Sequence, residues 1–106
     1  MATVNPKDAA RAYTNGEVFL DLRSAPLRAR SPLERAVATP GSAVFSGTGL
    51  ASELAGRPVY IVCEHGSISE LGALYLRDAG IEAYSVMGGA QALLAALADS
   101  AHDPST

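Results

Sequence analysis

The stretch IVCEHGSISELGALYLRDAG, Ile61 to Gly80, decides the fold of this chain. It begins within a short apolar run and continues through the only cysteine, Cys63, into a polar loop and then a helical pattern. The apolar run at 59–62 is too short for a helix and predicts a buried strand. The sequence therefore places Cys63 at the C-terminal end of a strand, where a loop leads into a helix.

Strands alternate with helices along the rest of the chain. Asn5 as N-cap and Pro6 as the first helical residue predict a helix that ends at Asn15-Gly16. The alternation predicts an α/β fold, in which a mostly parallel central sheet is covered by helices on both faces. The other predicted elements are a strand at 17–22, a helical turn after Ser31-Pro32, a strand at 43–45, a flexible connection at 47–49, one or two helical turns at 50–56, a strand within 81–89 that ends in a glycine pair, and a last helix at 90–102.

Length and composition limit the classes of function. The 106 residues are 48% hydrophobic, which predicts one domain spanning 1–106, with an ordered core of roughly 4–100. The net charge of -3 is spread without long runs of one sign, so no nucleic-acid partner is expected. No apolar stretch approaches the roughly 20 residues that span a bilayer, so no membrane role is expected. The N-terminus lacks the pattern of a signal peptide, which makes the cytoplasm the expected compartment.

The loop after Cys63 has a composition suited to holding a charged sulfur. Ser67 and Glu70 match a capping box that would start the helix, and Gly66 permits a positive φ. The partial positive charge of a helix N-terminus lowers the pKa of a nearby thiol, and the thiolate is the nucleophilic form. The alternative is that Cys63 is a small buried residue that only packs.

At this point the chain resembles the rhodanese-like (sulfurtransferase) domains, over most of its length. The resemblance implies a rhodanese-like three-layer fold, with a central, mostly parallel sheet and helices on both faces. Four segments carry it in the family's order: VFLDLR, with Asp21 and Arg23 on an Asp-x-Arg pair; ATPGSAVF, with Pro40, Gly41 and Ser42 before a short strand; VYIVCEHGSIS, similar to the loop Cys-x-x-Gly-x-Arg-Ser at Cys63, Gly66 and Ser69; and YSVMGGAQALL, with Gly88 and Gly89 before the last helix.

The resemblance also implies a function and a site. Cys63 would be the catalytic residue, which accepts a sulfane sulfur from thiosulfate or a persulfide and passes it to cyanide, a thiol or a partner protein. No cofactor and no metal is implied, and Asp21 and Arg23 would support the loop. The residues that would bind the substrate and stabilise the persulfide are Glu64, His65, Gly66, Ser67, Ile68 and Ser69.

The loop departs from the family's pattern at two positions. Ile68 stands where the family often has arginine, and Glu64 adds a carboxylate directly after the cysteine. Because an anionic donor then meets less positive charge, we expect weak thiosulfate activity, or a neutral or protein persulfide donor. A low-activity domain that binds a protein or senses redox state is the alternative, and a structural domain with an inert cysteine is a third. A cysteine phosphatase is not expected, because the loop lacks the arginine that grips phosphate oxygens.

Three other side chains have alternative interpretations. His65 lies close enough to the cysteine to tune it, but a solvent-exposed loop histidine is the simpler interpretation. For Asp21 and Arg23 we favour a structural ion pair with a residue such as Glu34 over a role in the site. One cysteine and two distant histidines do not form a ligand set for a metal.

Overall fold

The structure is a computed structural model that describes residues 2–46, 54 and 56–102. Its described part contains a parallel five-stranded sheet with the strand order β1-β5-β4-β2-β3. The elements, in chain order, are β1 (Thr3–Val4), α1 (Pro6–Thr14), β2 (Val18–Asp21), α2 (Ala25–Arg30), β3 (Val37–Ala38), α3 (Gly41–Ser46), β4 (Val59–Val62), α4 (Ser67–Asp78), β5 (Ala83–Val86) and α5 (Gly89–His102).

Helices pack on both faces of this sheet, as the alternation of elements predicts. One core contains Leu20 and Ile61 of the sheet together with Val44 of α3 and Leu76 of α4. The other core joins sheet residues such as Phe19 to the alanines of α1 and to α5. Since successive strand residues point to opposite faces, each of the central strands contributes to both cores. The predicted α/β three-layer fold is confirmed.

The N-terminal elements show how local sequence fixes their bounds. The Asn5 side chain accepts a hydrogen bond of 2.8 Å from the amide of Asp8, and Pro6 is the first residue of α1. Gly16 follows the helix with a φ of 83°, a conformation that favours glycine. The predicted helix is confirmed, and the strand predicted at 17–22 is observed as β2.

The region between β2 and β4 differs from its prediction. Residues 43–45 belong to helix α3 rather than to a strand, and α2 lies before Ser31-Pro32 rather than after it. Three residues are too few to reveal a period, and Val44, an apolar residue typical of strands, is buried in the core from a helix. The two-residue strands β1 and β3 were not predicted, because so short a segment has no sequence pattern of its own. The connection at 47–49 and the helical turns at 50–56 fall outside the described residues, apart from Leu54 and Gly56.

Helix α4 packs on the sheet with a face of mostly small residues. Its buried residues are Ser69, Gly72, Ala73 and Leu76, whereas Leu71 is 61% exposed. A Cβ on Gly72 would lie 3.3 Å from Cγ1 of Val44, so the small face lets α4 approach its neighbours closely. The helix ends just before Gly80, which has a φ of 93°. Among the described residues, no helix is long and apolar enough to cross a membrane.

Candidate active site

The candidate site is the segment Cys63 to Ser69, which we call the cysteine loop. Cys63 follows the last residue of β4, and α4 begins at Ser67. Gly66 is the N-cap of α4, with a φ of 101° and no side-chain capping bond. The predicted capping box is therefore wrong, because Ser67 is the first helical residue and cannot cap the helix. The left-handed conformation of Gly66 starts the helix instead.

The sulfur of Cys63 lies against hydrogen-bond donors of its own loop. The amides of Gly66 and Ser69 donate to Sγ at 3.2 and 3.3 Å, and the Ser69 hydroxyl oxygen lies 3.4 Å from Sγ. Donors aimed at one atom stabilise negative charge there. The predicted contact between the cysteine and the start of the helix is present in the structure.

Two opposing effects set the pKa of this thiol. Burial raises the pKa of Cys63, but hydrogen bonds from the Ser69 hydroxyl and from the amides of Ser69, Gly66 and Ile68 more than offset it. The net result is a pKa below the ordinary value of 9.0. Because the thiolate is the nucleophilic form, the loop favours a reactive cysteine.

The sulfur is also shielded from solvent. Cys63 is only 6% exposed, so most of its surface is covered by the protein. A buried thiol with a raised pKa would be inert, but here the hydrogen bonds reverse the effect of burial.

The turn before α5 supports the cysteine loop from the side. The amide of Ala90 donates a 2.8 Å hydrogen bond to the carbonyl of Cys63. Gly88 and Gly89 both have positive φ, and a Cβ on Gly89 would lie 2.7 Å from that same carbonyl oxygen. A side chain at position 89 would therefore displace the loop.

Asp21 and Arg23 form a buried ion pair at the end of β2. The guanidinium donates from Nε and Nη2 to the Asp21 carboxylate at 3.0 and 2.9 Å. The hydrogen bond to Asp21 raises the pKa of Arg23, burial opposes it, and the nearby charges of Asp21 and Glu64 raise it further. The prediction of a structural ion pair is right, but the partner is Asp21 rather than Glu34. Among the described residues the pair makes no hydrogen bond to the cysteine loop.

The remaining residues of the cysteine loop differ in their exposure to solvent. His65, Ser67 and Ile68 are exposed, which for His65 agrees with the simpler interpretation. Glu64 is half-buried, and its Oε2 atom is buried without a hydrogen-bond partner among the described residues. Of the six predicted binding residues, Gly66 and Ser69 donate to the sulfur through their amides at 3.2 and 3.3 Å, and the amide of Ile68 also lowers the pKa of Cys63.

One residue near the site was not predicted. Ser85 on β5 is fully buried, and its hydroxyl oxygen lies 2.7 Å from that of Ser69. The register that pairs Ile61 with Ser85 places it beside β4. The only signal in the sequence is a serine within an otherwise apolar strand, and nothing local connects it to Cys63.

A surface cavity lies near this end of the sheet without including the cysteine. Its volume is about 440 Å³, and Arg23, Arg28 and Thr39 are among its lining residues. No residue of the cysteine loop lines it. This cavity is therefore separate from the cysteine loop.

Three solved structures are similar to this chain in fold. A rhodanese homologue from the extreme thermophile Thermus thermophilus is 34% identical, with a TM-score of 0.69, and the match covers 86% of this chain and 99% of that one. A rhodanese-related protein from Thermoplasma volcanium has a TM-score of 0.76 at 18% identity, covering 90% of this chain and 92% of that one. A rhodanese-like domain protein from Staphylococcus aureus has a TM-score of 0.73 at 22% identity, covering 88% and 91%. No family model and no curated protein matches the sequence.

Fold and site together define an α/β domain whose strand-end cysteine lies in a loop of hydrogen-bond donors. The Thermus thermophilus homologue has this fold, and its identity of 34% extends over nearly its whole length. The chain belongs to the rhodanese family.

Proposed function

We propose that this protein is a sulfurtransferase that carries a sulfane sulfur as a persulfide on Cys63. The observation that carries the proposal is the pair of amides, from Gly66 and Ser69, that donate to Sγ. They favour the thiolate at rest and would also stabilise charge on the sulfur during transfer.

The reaction consists of two displacements at sulfur. The Cys63 thiolate attacks the outer sulfur of the donor, and the bond between that sulfur and its leaving group breaks. The leaving group departs with the electron pair, as sulfite from thiosulfate or as a thiolate from a persulfide. An acceptor such as cyanide or a thiolate then attacks the outer sulfur of the persulfide and restores the Cys63 thiolate. The cycle requires no cofactor, because in each displacement the nucleophile supplies one electron pair and the leaving group takes one away.

The surroundings of the thiol favour certain donors. Cys63 is almost buried, so the donor must present its sulfur on a slender group. Ile68 is 55% exposed and supplies no charge for an anion. We therefore propose weak activity with thiosulfate and better activity with a neutral persulfide or a persulfide carried by a protein.

A second candidate is a low-activity domain that binds a protein or senses redox state. The observation that favours it is the run of exposed apolar side chains on α4, which includes Leu71, Leu74 and Tyr75. Exposed apolar residues in a group often mark a protein contact. In this alternative Cys63 would still react with sulfur, but turnover would be negligible.

Intact-mass measurement tests the proposal directly. The protein is incubated with thiosulfate or a polysulfide and weighed, beside a Cys63→Ala variant as control. Since Cys63 is the only cysteine, a gain of one sulfur by the wild type alone supports the carrier role. Release of that sulfur to cyanide as thiocyanate, over many turnovers, supports the enzyme rather than the binding module. If the wild type gains no sulfur from either donor, the proposal fails.

A further inference from the structure

A pair of buried hydroxyls lies behind the sulfur of Cys63. Ser69 and Ser85 are 0% and 1% exposed, and their hydroxyl oxygens are 2.7 Å apart. Ser69 Oγ is 3.4 Å from Sγ. The carbonyl of Gly66 lies 3.2 Å from Ser69 Oγ and 3.4 Å from Ser85 Oγ.

The hydroxyl of Ser85 has partners only in the cysteine loop, as far as the described residues are concerned. Its hydrogen bonds are to Ser69 Oγ and to the Gly66 carbonyl. Its neighbours on the same strand, Ala83 and Val86, are buried and apolar. A buried hydroxyl in such a strand costs free energy unless it is hydrogen-bonded. The hydroxyl of Ser85 therefore forms hydrogen bonds to the cysteine loop, while its strand pairs with β4 through backbone atoms.

Counting protons restricts how the two hydroxyls can be arranged. Each serine has one hydroxyl proton to donate. When Cys63 is a thiolate, Sγ only accepts, so the Ser69 proton points at sulfur and the Ser85 proton points at Ser69 Oγ. The Gly66 carbonyl still has a partner in this state, because it accepts a 3.1 Å bond from the amide of Glu70.

The opposite arrangement suits the protonated thiol. The S–H of Cys63 then donates to Ser69 Oγ, the Ser69 proton turns toward Ser85 Oγ, and the Ser85 proton turns toward the Gly66 carbonyl. Only hydroxyl protons rotate between these states, while the heavy atoms stay in place and both serines remain neutral. The pair can therefore follow the charge on sulfur without rebuilding the loop.

We infer that Ser85 is a positioning residue for the sulfur chemistry, whose hydroxyl donates to Ser69 and so aims the Ser69 proton at the Cys63 thiolate. Ser85 acts through Ser69, since the described structure gives it no hydrogen bond to the sulfur. Hydrogen bonds in a chain strengthen one another in a buried site. The catalytic consequence of this role rests on the proposed function, whereas its effect on the thiolate can be measured without any sulfur transfer.

The test is the rate at which Cys63 is alkylated by iodoacetamide as a function of pH. Only the thiolate reacts, so the profile reports the ionisation of this single cysteine. We expect Ser85→Ala to raise the pKa of Cys63 and to slow alkylation at pH below that pKa about threefold, since a cooperative part of one bond is lost. Ser69→Ala, which removes the direct bond to the charged sulfur, should slow it about tenfold or more.

The double variant separates positioning from general damage to the structure. In the Ser69→Ala background, adding Ser85→Ala should change the alkylation profile no further, because Ser85 then has no hydroxyl to aim. Thr39→Val removes a part-buried hydroxyl that bonds the Val37 carbonyl, and this control should leave the profile at its wild-type position. The inference is overturned if Ser85→Ala has no effect, or if it has the same effect with and without Ser69.

A second pair of variants guards against a change in packing at this buried position. Ser85→Thr and Ser85→Val have almost the same shape, and only the threonine keeps the hydroxyl. The threonine variant should be alkylated faster than the valine variant at pH below the pKa, and equal profiles would overturn the inference. Sulfur uptake by the wild type is measured separately, so a failure there counts against the proposed function and leaves the role of Ser85 in ionisation intact.

Discussion

Replacing Gly89 by alanine should destabilise the protein by pushing against the cysteine loop. Gly89 has a φ of 72°, and a Cβ there would lie 2.6 Å from the carbonyl carbon of Glu64 and 2.7 Å from the carbonyl oxygen of Cys63. Those atoms are main chain and cannot move aside without moving the loop. The left-handed conformation costs about 1–2 kcal/mol, and the overpacking adds about 1–3 kcal/mol.

Gly80→Ala provides the matched control for this prediction. Gly80 has a φ of 93° and nothing within 4 Å of the added Cβ, so it carries the conformational cost without the contact. The melting temperature of Gly89→Ala should therefore fall about 10 °C further than that of Gly80→Ala, for an extra cost of about 2 kcal/mol. Circular dichroism on heating measures this difference.

The same two variants should differ in the reactivity of Cys63. A displaced loop moves the amides of Gly66 and Ser69 relative to the sulfur, so Gly89→Ala should be alkylated more slowly than the wild type near neutral pH. Gly80→Ala should react at the wild-type rate. If the two variants have the same melting temperature and the same rate of Cys63 alkylation, the turn before α5 does not hold the loop and the reasoning is wrong.

Three other predictions follow from the charges around the site. The pKa of Cys63 is lowered in the folded protein from its ordinary value of 9.0, so the thiolate adds stability that is fully present above pH 9.0 and is lost as the pH falls through the folded pKa. Urea unfolding over this range should show the stability of the wild type, relative to Cys63→Ala, increasing as the pH increases. A difference that does not change with pH would contradict this prediction. Asp21→Ala should lower the free energy of unfolding by about 3–5 kcal/mol, because it leaves Arg23 buried and unpaired. The double variant Asp21→Leu with Arg23→Met should lower it less, and a double variant that unfolds at a lower urea concentration than Asp21→Ala would argue against this account. Ile68→Arg should raise kcat/KM for thiosulfate roughly fivefold at low salt, because the added charge supplies about 1 kcal/mol of attraction. Ile68→Gln is the neutral control. An increase that persists unchanged at high salt would not be electrostatic.

The sequence predicted those parts of the fold that depend on local pattern. The apolar run before Cys63 and the cap at Asn5 define their elements within a few residues, so the strand, the helix and the position of the cysteine could be predicted. The packing face of α4 could not, because its larger apolar side chains, Leu71 among them, are on the exposed side. Close approach to the sheet selects small residues, and that selection depends on a neighbour that the sequence does not specify.

The site was predictable to the same extent. Cys63, Gly66 and Ser69 belong to one short loop between a strand and a helix, so contact between the thiol and backbone amides could be predicted, although the capping box at Ser67 that supported the prediction is wrong. Ser85 lies 16 positions from Ser69, and its approach depends on the register between β4 and β5. Long-range register of this kind is set by the whole sheet, so a serine within an apolar strand could be noted but not assigned.

Glu64 is half-buried, and its charge acts on Arg23 as well as on the cysteine loop. As a carboxylate beside the sulfur, it would repel an anionic donor by about 1 kcal/mol in wet surroundings. Its Oε2 atom is buried, however, and its charge raises the pKa of Arg23. Attraction to a buried guanidinium offsets part of the negative charge that a donor would meet. We therefore expect Ile68→Arg to raise thiosulfate turnover more than Glu64→Gln, which removes repulsion and attraction together, and a larger gain from Glu64→Gln would contradict this.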